Sequence, residues 1–277
     1  DDSPQDPPAA VNISVSDVSS RIDPDDLMDY EATVWLRASP TRKMDLRLKE
    51  KERILGTHDD GLLDDAIIDD AMNILSQQFP NITGFQSCTL VKLHNSMRFK
   101  KEEMGASILQ IFNTELIGTG SHWVLLSTVN CKPGCVKIYD SVRSSYINED
   151  VQAAICSLVA TKGDLITVQF ESSDLQAEES NDCGVISIAN MVMVANGIDP
   201  ATVEYSGSME LRNFLVTCLE KGEMSVFPHS QVETRQSLST SYIERFCSCH
   251  MPDDHRLYFE CDKCENFYHP KREGYGD

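Results

Sequence analysis

Apolar positions along this chain follow a helical or strand period in only a few stretches. Residues 62–78, LLDDAIIDDAMNILSQQ, put Leu63, Ile67, Ile74 and Leu75 on one face and paired aspartates on the other. That spacing predicts an amphipathic helix, stopped by Pro80. SHWVLLST (121–128) and CVKIY (135–139) read as strands, and the intervening NCKPG carries a Pro-Gly turn, so the two predict an antiparallel hairpin. A helix is expected over 148–160 and a strand over LITVQF, 165–170. The run GVISIANMVMVAN, 184–196, is apolar on nearly all sides and predicts a buried helix ending near Gly197. SMELRNFLVTCLEKG, 208–222, is amphipathic and closes with Lys and Gly.

The flanks lack such periods. Residues 1–31 are rich in Pro, Ser and Asp and read as an acidic, disordered tail, and Trp35 and Leu36 can dock onto the body. Four regions result: a tail over 1–44, a folded domain over 45–228, a polar linker over 229–245 and a Cys/His-rich segment over 246–277. The chain starts at Asp rather than Met, which suggests a fragment or a processed product.

A formal charge of −20 argues against phosphate-backbone binding through this body, since that needs Lys and Arg. No apolar run reaches the roughly 18 residues of a membrane span, and no signal peptide is visible. Ten cysteines are present without the even spacing of a disulfide framework. That pattern fits a reducing, intracellular setting, nuclear or cytoplasmic, with metal or catalytic roles for some thiols.

Cys183 differs from the other thiols in its setting. It follows the turn-forming ESND and immediately precedes the buried helix, whose N-terminal N–H groups favour a negative sulfur. Gly184 permits close backbone approach. A thiolate also needs a base, and the base an orienter. His122 opens one strand of the hairpin and Asp140 ends the other, so pairing brings them side by side. The Cys183 N–H and the Gln176 carboxamide are candidate oxyanion donors. Taken singly, His122 is more often a surface or capping residue and Asp140 a turn residue, and Cys183 is as readily a packing thiol; the ordered set lifts the catalytic reading. Cys88, Cys131, Cys135, Cys156 and Cys218 read as packing thiols.

In that order, SHWVLLS, VKIYDS and QAEESNDCGVIS resemble the His, Asp, Gln and Cys motifs of the ubiquitin-like-protein-specific (SUMO/sentrin-type) cysteine proteases and, more distantly, the adenovirus proteinase. GLLDDAIIDDAMNIL resembles that family's WLND-x-x-I helix. The resemblance covers about residues 45–228. It implies an α+β papain-like fold with His122 as base, Asp140 as orienter, Cys183 as nucleophile and Gln176 as oxyanion donor. Trp123 and Leu62 would line the substrate channel, Leu62 standing where SUMO proteases usually have Trp. Gln176 lies seven residues before Cys183, as in the viral enzyme, whereas many SUMO proteases have six. The implied activity is hydrolysis of the peptide or isopeptide bond after the Gly-Gly tail of a modifier such as SUMO or NEDD8, through a thioester and without a cofactor. Two other readings stand: a catalytically weak module that binds a modifier or chromatin, and an acetyltransferase on the same fold.

The C-terminal FCSCHMPDDHRLYFECDKCENFYHP supplies Cys247, Cys249, Cys261, Cys264 and His269 at spacings that suit tetrahedral zinc. The segment resembles the first five ligands of a PHD finger, with Arg272 at the sixth position and the sequence given ending at Asp277. Both an improvised zinc site and a finger too incomplete to hold metal are compatible with that spacing. A protease domain followed by such a finger also resembles proteins of animal mobile elements.

Overall fold

The computed structural model describes residues 46–57, 61–88, 99–116, 120–145, 147–245, 251–252, 259–263 and 267–268. The expected tail, with Trp35 and Leu36, lies outside them. So do Cys247, Cys249, Cys264 and His269.

A short helix α1 (Leu48–Ile54) precedes α2 (Asp65–Gln78). Asp64 caps α2 by accepting the Ile67 N–H at 3.1 Å, and the helix stops at Phe79, just before Pro80. Its buried stripe is Ile67, Ile68, Ala71, Met72 and Leu75. Next come β1 (Thr83–Gly84), β2 (Ile108–Leu116), β3 (Gly120–Ser127) and β4 (Cys135–Tyr139). Helix α3 (Glu149–Leu158), capped by the Asn148 side chain, crosses over to β5 (Leu165–Glu171), which pairs parallel to β4. Then follow α4 (Cys183–Ala195), a 3-10 turn at Pro200–Thr202, β6 (Val203–Tyr205), α5 (Ser208–Lys221), β7 (His229–Gln231) and β8 (Ser239–Glu244). Gly222, at φ +69°, closes α5 in the left-handed conformation that glycine adopts without Cβ strain. A two-residue ladder pairs β9 (Phe259–Glu260) with β10 (Phe267–Tyr268).

The main sheet of the described residues runs β1-β2-β3-β4-β5-β8. The β2–β3–β4 meander is antiparallel, and β8 adds antiparallel to β5. Side chains alternate between its faces. Leu109, Ile111, Trp123, Leu125 and Tyr139 share one core with α2, α4 and α5. Phe112, Val124, Leu126, Ile138, Val168 and Phe170 share the other with α3. Helices on both faces of a mixed sheet make the fold α+β, the class expected from the sequence.

Within the stretch 229–245, read from sequence as a polar linker, β8 forms the sheet edge. An edge strand needs little apolar content: only Ile243 of β8 is buried, while Ser, Thr and Glu face water. Strand β2 was not anticipated. Ile108 through Phe112 are buried on both faces, so no alternation marks them as a strand.

Candidate active site

His122 lies on β3, and Asp140 directly follows the last residue of β4. The β3–β4 register pairs Leu125 with Tyr139, which carries Asp140 towards the start of β3. His122 Nε2 and Asp140 Oδ1 are 2.7 Å apart, and both side chains are buried. The carboxylate is held from two further sides. Its Oδ1 accepts the Val142 N–H at 2.9 Å, and its Oδ2 accepts the Ser144 N–H at 3.2 Å. A carboxylate fixed at three points orients the imidazole firmly.

Cys183 is the first residue of α4 and is 3% exposed. Asp182 occupies the cap position, yet its side chain makes no capping bond to the helix. The first-turn N–H groups therefore keep their partial positive charge for the neighbouring sulfur. His122 is hydrogen-bonded to Asp140 and lies near enough to Cys183 for the thiol to raise its pKa. Since Nε2 is taken by Asp140, Nδ1 is the nitrogen left for the thiol. Burial pulls the His122 pKa down, but the Asp140 and Cys183 partners outweigh it and raise it from 6.5 to about 9. The imidazole therefore favours its protonated form at neutral pH.

Gln176, half-buried on the loop before α4, is fastened to the residue after Asp140. Its Oε1 accepts the Ser141 hydroxyl at 2.8 Å, and its backbone N–H reaches the Ser141 carbonyl at 3.1 Å. One amide N–H donates to the Ser180 carbonyl at 2.7 Å. A carboxamide has two such N–H groups, so one remains for a ligand.

Trp123 does not present an open channel wall in this structure. The ring is 1% exposed, and its indole N–H donates to the Leu63 carbonyl at 2.9 Å. It sits beneath the Leu62–Leu63 segment as a support, because a buried indole needs an acceptor and that carbonyl supplies one. Leu62 is partly buried against the same core. A Cβ built on Gly184 would lie 3.0 Å from the Leu63 Cβ, so a side chain at this crossing would press on Leu63.

Sequence reasoning missed Arg212 on α5. Its guanidinium is buried and reaches Asp182, the residue before Cys183, with Nη2 at 2.7 Å and Nε at 2.9 Å. The signal was present: Arg212 interrupts the apolar stripe of Leu211, Leu215 and Leu219, and a cation there needs a buried partner. Of the other thiols, Cys88, Cys156 and Cys218 are buried as expected. Cys131 and Cys135 are only half-buried and share the β3–β4 turn. Burial pushes the Cys131 thiol up to about 11, and the Cys135 thiol also upward.

Thiol, imidazole and carboxylate are the groups that would serve as nucleophile, base and orienter, and such chemistry requires no cofactor. Of the five expected zinc ligands, Cys261 alone is among the described residues. It directly follows β9 in the β9–β10 ladder, where Phe259 and Tyr268 stack at 5.5 Å. Among the described residues, no three His, Cys, Asp or Glu side chains are grouped as metal ligands. Nor is any helix of these residues long and apolar enough to cross a membrane.

A helix with cysteine at its first position, set against a sheet that carries histidine and aspartate, is the papain-like arrangement of a thiol–imidazole–carboxylate site. No protein-family profile matches the chain, and no curated protein matches it. Solved structures do. The SUMO protease Ulp1 with its catalytic cysteine oxidised to a sulfinic acid is 15% identical, covers 66% of this chain and 89% of its own, and has a TM-score of 0.44. The sulfonic acid form of that protease is 16% identical over 62% of this chain and 82% of its own, at a TM-score of 0.45. The sulfenic acid form is 13% identical over 64% and 96%, at 0.42.

Proposed function

We propose that this protein is a cysteine peptidase or isopeptidase that cleaves after the C-terminal tail of a ubiquitin-like modifier. The observation that carries the reading is the buried His122–Asp140 pair, held near Cys183 at the start of a buried helix, where the thiol helps raise the imidazole pKa. The motif resemblance in the sequence supplies the substrate class.

The chemistry follows from these positions. The Cys183 thiolate attacks the carbonyl carbon of the scissile amide. The resulting oxyanion is stabilised by the Cys183 N–H and the remaining Gln176 amide N–H. His122 gives its proton to the departing amine, the C–N bond breaks, and a thioester remains. Neutral His122 then takes a proton from water, and the hydroxide attacks the thioester carbonyl. The modifier leaves as its free acid, and the proton on His122 restores the imidazolium–thiolate pair. Asp140 holds the imidazole in place and stabilises the imidazolium. Leu62 and Leu63 border the path of the modifier tail, with Trp123 supporting them from below. The catalytic unit extends through β8. A zinc in the C-terminal segment is a separate proposal, carried by its Cys and His spacing alone.

The test is a panel of modifier vinyl-sulfone probes read by mass spectrometry at Cys183. Labelling by at least one modifier is expected, and Cys183→Ala or His122→Ala should abolish both labelling and processing of a Gly-Gly-extended modifier. If no probe labels Cys183, the modifier-protease reading fails. Tight modifier binding without turnover would favour a binding module instead, and acyl transfer to lysine without hydrolysis would favour an acetyltransferase.

A further inference from the structure

We propose that Arg212 is a positioning residue for the candidate nucleophile: its guanidinium fastens the Asp182–Cys183 turn to the Gly61–Leu63 segment opposite. The inference rests on reading Cys183 as the nucleophile.

All five guanidinium N–H groups are engaged. Nε donates to Asp182 Oδ1 at 2.9 Å and, less closely, to Ser208 Oγ at 3.3 Å. Nη1 donates to the carbonyls of Ile54 and Gly61, each at 2.8 Å. Nη2 donates to the Asn181 carbonyl at 2.9 Å and to Asp182 Oδ1 at 2.7 Å. One buried side chain thus ties the end of α1, the segment before α2, the turn before α4 and its own helix. Lys, with three donors on one atom, cannot reproduce this fork.

What distinguishes Arg212 from a general staple is where its partners lead. Asp182 is bonded to Cys183. Gly61 is two residues from Leu63, whose carbonyl holds the Trp123 indole and whose side chain rests on Gly184. The residue next to Trp123 on β3 is His122. The loop is closed: Arg212 to Asp182 to Cys183 on one side, Arg212 to Gly61 to Leu63 to β3 on the other. Gly61 itself sits at φ +73°, and a Cβ there would come within 3.0 Å of Arg212 Nη1, so backbone and guanidinium are fitted to each other.

Charge gives the second role. An unpaired Asp182 carboxylate beside a thiolate would oppose it, and Arg212 neutralises that carboxylate. The charged groups around Cys183 are His122 from β3, Asp140 after β4, Asp182 in the turn and Arg212 from α5. The first turn of α4 adds no acid. Asp64, on the segment opposite, is tied to Arg53.

The test measures the rate of Cys183 alkylation by iodoacetamide from pH 5 to 10, by peptide mass spectrometry, with Cys131 as an internal control. It uses the full chain as wild type, Arg212→Lys, Arg212→Met and the Asp182→Asn/Arg212→Met double variant. Melting temperatures are recorded in parallel, and kcat and KM are taken on the modifier that labels the wild type. Arg212→Met should slow alkylation at pH 7 at least ten-fold and move its rise to higher pH. The double variant should return that rise towards the wild-type pH while kcat stays low. Arg212→Lys should keep the pH profile, because the charge remains, and lose kcat more than KM. Folded Arg212→Met with the wild-type alkylation profile overturns the proposal. Should Arg212→Met fail to fold, Arg212→Lys decides, and wild-type kcat in that variant overturns it equally. A wild-type Cys183 that alkylates no faster than Cys131 would instead sink the protease reading itself.

Discussion

Ser141 and Gln176, 35 residues apart, hold each other twice: the Ser141 hydroxyl donates to Gln176 Oε1 at 2.8 Å, and the Gln176 backbone N–H donates to the Ser141 carbonyl at 3.1 Å. Because Ser141 follows Asp140, the group that orients the imidazole and the group that orients the carboxamide are adjacent in the chain. Fixing Oε1 by a hydroxyl decides which end of the amide is left for an oxyanion.

Ser141→Ala should therefore lower kcat with little change in KM, since the affected interaction strengthens only as the oxyanion forms. A loss of roughly ten-fold is expected, below the ~100-fold typical of removing an oxyanion donor outright. Steady-state kinetics on the labelled modifier's precursor measures it. Ser141→Thr, which keeps the hydroxyl, should recover most of the rate. A Ser141→Ala enzyme with unchanged kcat rules out the orienting role.

Stability should fall as pH rises from 6.5 to about 9. Folded His122 keeps its proton up to about 9, because Asp140 and Cys183 raise its pKa against the downward pull of burial. The unfolded chain has released that proton above about 6.5. The folded state binds more protons across this window, so its advantage is complete below 6.5 and is lost as pH passes 9. The contribution is roughly 3 kcal/mol. Urea unfolding at pH 6, 7.5 and 9 should show the decline in the wild type and a flatter profile in His122→Gln; parallel profiles would contradict it.

Asp70 on α2 behaves in the opposite sense to a stabilising carboxylate. Burial, aided by the charges of Asp69, Glu50 and Asp64, raises its pKa from 3.8 to about 6. The folded state holds this proton between those values and the unfolded state does not, so the group costs stability once ionised. Asp70→Asn should stabilise the protein at pH 7 by about 1 kcal/mol, a figure reduced for the half-exposed position of the side chain. Thermal unfolding at pH 7 and pH 4 checks it: the gain should be present at pH 7 and largely absent at pH 4.

Gly184 and Leu63 should be energetically coupled. An alanine Cβ at position 184 would lie 3.0–3.1 Å from three atoms of the Leu63 side chain. Gly184→Ala alone should destabilise by about 1–3 kcal/mol through overpacking, and Leu63→Ala alone by about 2–5 kcal/mol through the cavity it leaves. The double variant should cost clearly less than the sum, because the new methyl fills part of that cavity. Strict additivity in denaturant unfolding would show that the two residues do not share the contact.

Much of this architecture is legible without coordinates. The helices at 65–78, 149–158, 183–195 and 208–221 and the β3–β4 hairpin follow from apolar period, caps and a Pro-Gly turn, all written within a few residues of each element. The placement of His122 and Asp140 on that one hairpin, and of Cys183 at a helix start, is also local information. Strand β2 escaped because a strand buried on both faces has no alternation, and β8 because an edge strand can be polar. For Trp123 the resemblance implies a channel residue and the sequence allows simple strand packing equally; the ring lies under Leu63, since only packing decides which face of β3 is covered. The Arg212 fork was least visible. Its acceptors stand 30, 151 and 158 residues away, and no periodicity encodes such a distance. The sequence by itself determined which residues are candidates for the chemistry and which elements carry them. The tertiary structure alone decided what holds those residues still, because hydrogen bonds between distant segments exist only once the cores on the two faces of the sheet have closed.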